Sequence, residues 1–213
     1  MPAPIAAVLF DLDGVLSDTS ETHYLAWKRL TEEEGIEFDR SRNEALRGVG
    51  RGESLDLILA GRRISVERRS EMMERKDRYY RQLLAARPPG LLPGALSALD
   101  AARRRGLRTA IVSSSRNARQ ILLALGIADL FDHVSDGNSV GNAKPAPDLF
   151  LHAAAALGVP IGRCLVVEDA ESGVAAAKAA GARVIGIGPA ERVGAADLLF
   201  DSTAALDLDA VLG

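Results

Sequence analysis

The sequence predicts an α/β fold, a Rossmann-like parallel sheet opened after its first strand by a helical insertion. Three observations carry this. Short runs of strand-forming apolar residues recur along the chain, each followed by a stretch of helical periodicity. After the first of these runs, only helical patterns remain for about 70 residues, too long a stretch for a connecting loop. Pro88-Pro89-Gly90 and Pro93-Gly94 then close that stretch, because prolines with glycines stop a helix and stiffen the connection.

The first strand is expected over residues 5–10, an unbroken apolar run of the kind buried on both faces of a parallel sheet. It ends in Asp11, Leu12, Asp13 and Gly14. In extended geometry the two acids share a face, and Gly14 lets the backbone turn and a ligand approach. In the insertion, Thr19, His23 and Trp27 recur at i, i+4 and i+8 and stack along one helix face. Further helices are expected over 40–46, 53–59 and 66–84, punctuated by Gly35, Gly48, Gly50, Gly52 and Gly61.

Beyond the insertion the alternation resumes. A helix over 95–105 with Gly106 at its C-terminal end leads to a buried strand at 109–112. A helix at 117–125, a short strand at 131–134 and a helix at 149–157 follow. A strand at 165–167, a helix at 172–180 and a strand at 184–187 complete the pattern. Strands alternating with helices at this spacing imply right-handed parallel crossovers.

The chain has 213 residues, 47% hydrophobic and 26% charged, enough for a sizeable core and one subsidiary domain. Its arginine clusters at 62–63, 68–69 and 103–105 read as solvated helix faces. The formal net charge of −3 argues against nucleic acid as a partner. Met1-Pro2-Ala3-Pro4 carries no positive charge, and the first apolar run meets two acids before it could serve as a signal or a membrane segment. The single cysteine, Cys164, lies in an apolar run and is expected as a small core residue. A cytoplasmic monomer is the expectation.

Polar clusters stand at the other strand ends. The strand at 109–112 runs into Ser113-Ser114-Ser115-Arg116-Asn117, whose hydroxyls and helix-start N–H groups either bind an anion or cap the helix. Lys144 is followed by Pro145-Ala146-Pro147-Asp148, where the prolines fix the approach to a helix and aim the lysine. Glu168-Asp169 follows an apolar run directly and precedes a helix. These acids either cap it or join Asp11 and Asp13 round a divalent cation, for which Mg2+ is suited by its preference for hard oxygen ligands.

Asp11-Leu12-Asp13-Gly14-Val15-Leu16 with Asp18-Thr19, the serine cluster, Lys144 and Glu168-Asp169 together resemble the four motifs of the haloacid dehalogenase-like (HAD) superfamily. The resemblance implies a HAD core made of residues 1–16 and 90–213 and a small helical cap domain over 17–89. It implies Asp11 as nucleophile, through an aspartyl-phosphate, and Asp13 as general acid/base. Mg2+ would be held by Asp11, the Asp13 carbonyl, Glu168 and Asp169, and the transferring phosphate by Ser113 and Lys144.

The cap residues narrow the resemblance to the superfamily's glucose-phosphate mutases, through residues 19–28, through 46–55 with Arg47, Gly48, Arg51 and Ser54, and through the core motifs as far as Gly188. This implies small-molecule sugar phosphates as partners and interconversion of β-glucose 1-phosphate and glucose 6-phosphate through a bisphosphate. Arg51 would hold the distal phosphate, helped by Ser115, Arg116 and Asn117, while Thr19 and His23 couple cap closure to placing Asp13. Trp27, Ser54 and Ser114 belong to the same implied substrate site. Arg47 stands where the family has lysine, Gly50 where it has serine, Ser114 where it has alanine and Arg116 where lysine is frequent. A sugar-phosphate phosphatase and a non-catalytic sugar-phosphate binder are the competing functions.

Overall fold

The computed structural model describes residues 4–213, so the reading of residues 1–3 lies outside the described residues. Six parallel strands form one sheet in the order β3-β2-β1-β4-β5-β6. They are β1 Ala7–Phe10, β2 Arg108–Val112, β3 His133–Ser135, β4 Cys164–Glu168, β5 Arg183–Ile187 and β6 Leu198–Phe200. The helices α1 Ser20–Glu33, α2 Arg40–Glu44, α3 Arg51–Leu59 and α4 Val66–Ala86 all fall between β1 and the helix that precedes β2. The remaining helices are α5 Ala95–Arg104, α6 Ala118–Ala124, α7 Asp148–Leu157, α8 Glu171–Ala180, α9 Ala190–Val193 and α10 Leu208–Leu212.

β1 is fully buried because successive side chains point to opposite faces and both faces are covered. Val8 and Phe10 enter one apolar cluster with Leu99 of α5 and Ile121 of α6. Ala7 and Leu9 enter a second with Phe150 of α7 and Val174 of α8. The insertion has its own packing. α1 lies along α4, and Ala26, Trp27 and Leu30 are buried beside Met72 and Tyr80. Where the chain enters and leaves the insertion, Ser17 is bridged to Leu91, Leu92 N–H donates to Leu16 O, and the Ser17 hydroxyl donates to Gly90 O. Two adjacent crossings of this kind make a narrow joint.

Boundaries differ from expectation for local reasons. The helix expected over 40–46 stops at Glu44, and the turn after it runs to Gly48, which takes φ +70°. The expected strand at 131–134 begins only at His133, and Phe131, ahead of it, meets Phe10 edge-on at 6.3 Å between ring centroids. β6, α9 and α10 were not expected. Leu198 and Leu199 of β6 are partly exposed, and a three-residue edge strand carries no periodicity to read. Among the described residues no helix is long and apolar enough to cross a membrane. Cys164 is buried, as expected.

Candidate active site

The site stands at the carboxyl end of the central strands, where open α/β sheets bind their ligands. Phe10 is in register with Ile111 of β2 and Val167 of β4. One residue further along, Asp11 is therefore level with the end of β2 and with Glu168. Asp11 N–H donates to Val167 O at 2.9 Å, which fixes the backbone as the chain leaves the sheet.

Lys144, from the loop before α7, is completely buried beneath these strand ends. Its Nζ lies 2.6 Å from Asp11 Oδ1, 2.5 Å from Glu168 Oε1 and 2.8 Å from Val112 O, so all three ammonium protons have acceptors. Burial works against its charge, yet Asp11 and Glu168 together hold its pKa well above the ordinary lysine value. Glu168 turns its other oxygen to the Asp169 and Ala170 N–H groups at 2.9 and 3.0 Å. Ala170 is the N-cap of α8 and no side chain caps the helix, so neither acid serves as the helix cap that the sequence left open. Gly173 is required here, because a Cβ would fall 1.8 Å from Glu168 Oε1.

Asp11, Glu168 and Asp169 each offer a carboxylate oxygen within 4.8 Å of the others. Burial is the main force raising the pKa of Asp11, with Glu168 and Asp169 adding repulsion and Lys144 opposing it. Burial and Glu168 raise Asp169 to about 7. With Asp13 beside them, four carboxylates crowd the strand ends around the buried Lys144, with Arg47 and Arg192 at Asp169 and Lys76 nearer Asp13. A divalent ion with oxygen preference fits the charge that is left and the donors that are present.

Asp13 lies just past Asp11, and the Thr19 hydroxyl donates to its Oδ1. Burial raises its pKa, while Thr19 and then Lys144 and Lys76 oppose the rise. A carboxyl whose pKa is raised holds a proton more readily, as giving one to a leaving oxygen needs.

A cleft lies between these strand ends and the inserted helices. The core side contributes Asp11, Asp13 and the run Ser113 to Asn117. The inserted helices contribute His23, Trp27, Arg47, Gly48, Arg51 and Ser54. Thr19, Lys144, Glu168 and Asp169 are buried and do not line the cleft. The sequence-predicted residues therefore come together in two layers, a lining and a buried charged floor.

The serines order the loop as well as facing the cleft. Ser113 Oγ accepts from Ser115 N–H at 3.1 Å and Ser115 Oγ from Asn117 N–H at 3.2 Å, while Ser54 Oγ donates to Val49 O at 3.4 Å. Ser114 Oγ donates to Gly48 O at 2.9 Å and Ser172 Oγ to Arg47 O at 3.1 Å, so the loop after α2 is bonded directly to the core. Arg47 Nη1 lies 3.0 Å from Asp169 Oδ2.

Among the lining residues that the sequence reading did not assign to the site are the charged pair Lys76 and Asp77 of α4. Lys76 Nζ lies 2.9 Å from His23 Nδ1 and stands 5.0 and 4.7 Å from the ring centroids of Trp27 and Tyr80. Burial first, then Arg51, lowers its pKa to about 7, and burial with Lys76 pushes His23 well below its usual value. A signal was available. Met72, Lys76, Tyr80 and Leu84 follow at intervals of four, which places the lysine on the helix's apolar face.

A buried acid cluster at the mouth of a parallel sheet, with a lysine beneath and a helical insertion above, defines a phosphoryl-transfer type of site. A family model for haloacid dehalogenase-like hydrolases matches residues 5–181, and the chain belongs to that family. It is 42% identical over 208 residues to the β-phosphoglucomutase of Bacillus subtilis (strain 168), covering 95% of this chain and 92% of that one. It is 32% identical over 187 residues to a phosphorylated carbohydrates phosphatase of Thermotoga maritima, covering 85% and 84%. Among solved structures, a β-phosphoglucomutase from Clostridium difficile superposes with a TM-score of 0.92 at 37% identity, covering 97% of this chain and 95% of that one.

Proposed function

We propose that this chain interconverts β-D-glucose 1-phosphate and glucose 6-phosphate by phosphoryl transfer through Asp11. The observation that carries the reading is that one cleft is lined both by Asp11, Asp13 and Ser113 and by Arg51, Arg116 and Asn117. The first group suits a transferring phosphate and the second a phosphate that stays in place, as a bisphosphate requires. Likeness to two β-phosphoglucomutases supports the same assignment.

In the forward direction the C6 hydroxyl of β-glucose 1-phosphate attacks the phosphorus on phosphorylated Asp11. Asp13 takes the hydroxyl proton, the acyl phosphate P–O bond breaks, and the Asp11 carboxylate is freed. The 1,6-bisphosphate reorients. Asp11 then attacks the C1 phosphorus, and Asp13 returns its proton to the departing C1 oxygen, giving glucose 6-phosphate and phosphorylated Asp11. Lys144 and Ser113 orient the transferring group. Asp11, the Asp13 carbonyl, Glu168 and Asp169 would hold Mg2+. Bound there, the ion supplies positive charge to the phosphoryl oxygens.

Residues 17–89 form the cap in this reading, and residues 1–16 with 90–213 the core. Arg47, Gly48 and Ser114 seal the cleft, Ser54 and Trp27 shape its cap side, and Thr19, His23 and Lys76 hold Asp13 ready. Closure keeps water from the acyl phosphate until a sugar hydroxyl arrives. The monomeric, cytoplasmic state belongs to the same proposal.

The test offers β-glucose 1-phosphate with Mg2+ and a trace of the 1,6-bisphosphate. Glucose 6-phosphate should accumulate with little inorganic phosphate. Steady phosphate release without glucose 6-phosphate would instead assign the chain to the sugar-phosphate phosphatases.

A further inference from the structure

Asp77 faces the cleft from α4 and collects the donors of both halves of the molecule. Its Oδ1 lies 2.8 Å from Arg51 Nη1 and accepts from Asn117 Nδ2 at 2.9 Å, while its Oδ2 lies 3.0 Å from Arg81 Nε. Arg51 belongs to the inserted helices and Asn117 to the start of α6, so one carboxylate bridges the cleft. Burial first, and then Arg116 and Arg81 nearby, disfavour the charge of Arg51, and Asp77 is the main group opposing them. Asp77 is only partly exposed, with its side chain at 19%, so solvent screens its charge weakly.

Resting on the function proposed above, we infer that Asp77 is a built-in competitor for the substrate's distal phosphate and sets how tightly a bisphosphate is held. The donors it engages through Oδ1 are two of those assigned to that phosphate. A phosphate dianion reaching Arg51 and Asn117 must draw them from the carboxylate or share them against like-charge repulsion. Such a brake has a use. A bisphosphate that must leave, turn and return is slowed by binding energy spent equally in both orientations, so weaker distal binding favours turnover. Asp77 is thus a specificity-determining group whose charge, rather than its shape, is what matters.

The test measures binding of β-glucose 1,6-bisphosphate with Mg2+ by calorimetry in an Asp11→Asn background, where the ligand is not consumed. Asp77→Asn keeps the size of the side chain and an acceptor for Asn117. It should tighten bisphosphate binding by about tenfold, the direction expected from removing a negative charge beside a dianion. Asp77→Glu, which keeps the charge, should bind within about twofold of the parent. In the active enzyme Asp77→Asn should lower KM and kcat together, a split that loss of packing alone does not produce. Bisphosphate binding that Asp77→Asn leaves unchanged or weakens overturns this inference alone. No bisphosphate binding in either background overturns the proposed function and this inference with it.

Discussion

Lys144 Nζ lies 2.6 Å from Asp11 Oδ1 although the two residues are 133 positions apart, and Glu168 takes a second proton of the same ammonium. The ammonium opposes the burial that raises the Asp11 pKa. Lys144→Met therefore leaves Asp11 and Glu168 buried without their cation. The expected cost is about 3–5 kcal/mol of stability, measured by urea unfolding. Added Mg2+ should restore more of the variant's stability than it adds to the wild type. An unchanged unfolding midpoint would show that the ion pair does not hold the floor of the site.

Asp11→Asn tests the nucleophile. The amide keeps the shape but cannot form the acyl phosphate, so turnover should fall by a factor on the order of 10⁴ or more. Wild-type protein treated with a phosphoryl donor should gain the mass of one phosphoryl group, and the variant should not. Turnover surviving in Asp11→Asn would move the nucleophile elsewhere.

Gly48 distinguishes closure from folding. At φ +70° a Cβ on this residue would sit 2.5 Å from Ser172 Oγ and 2.7 Å from Ala170 Cβ, both on the opposite side of the cleft. Opening the cleft relieves those clashes, whereas closing it does not. In Gly48→Ala the strained backbone costs about 1–2 kcal/mol. The clash adds to the cost of closure, so kcat/KM should fall by about tenfold to a hundredfold. The urea midpoint should move by no more than the backbone strain explains. A kcat/KM equal to that of the wild type would mean that this loop does not close on α8 during turnover.

Much of this site was legible in the sequence because its chemistry sits in contiguous strings at strand ends. Asp11 and Glu168 follow an apolar run directly, with Asp13 and Asp169 one or two residues on, and a parallel sheet with its switch point at β1 and β4 brings such ends together. Lys76 and Asp77 were hidden in the most charged helix of the chain, between Arg75 and Arg78, where a buried charge looks like its solvated neighbours. Lys76 is buried and Asp77 half-buried because α4 packs along α1 and over the cleft, a placement that the charge pattern alone does not state. Arg47, named among the cap residues of the resemblance, lines the cleft and also reaches Asp169, 122 positions away, a contact that no local pattern states. The hydroxyl cluster left two readings open, and its local turns show why. Ser113 and Ser115 accept backbone N–H groups and so shape the loop, while the same loop lines the cleft.

Lys76 makes a prediction about pH. It is enclosed by His23, Trp27 and Tyr80, with Arg51, Asp77 and Asp13 as its charged neighbours, and its pKa falls from 10.5 to about 7. Between those values the unfolded chain holds this proton and the folded chain does not. Stability contributed by this group is therefore gained as pH rises through the window and lost as pH falls towards 7. The slope is at most about 1.4 kcal/mol per pH unit. Lys76→Met removes the group and its slope. Raising the pH from about 7.5 to about 9 should stabilise the wild type relative to Lys76→Met by about 2 kcal/mol in urea unfolding. His23, held neutral by the same burial, titrates below this window and does not mask the difference. Parallel stability curves for the two proteins would show that Lys76 stays charged among its aromatic neighbours, held there by Asp77 and Asp13.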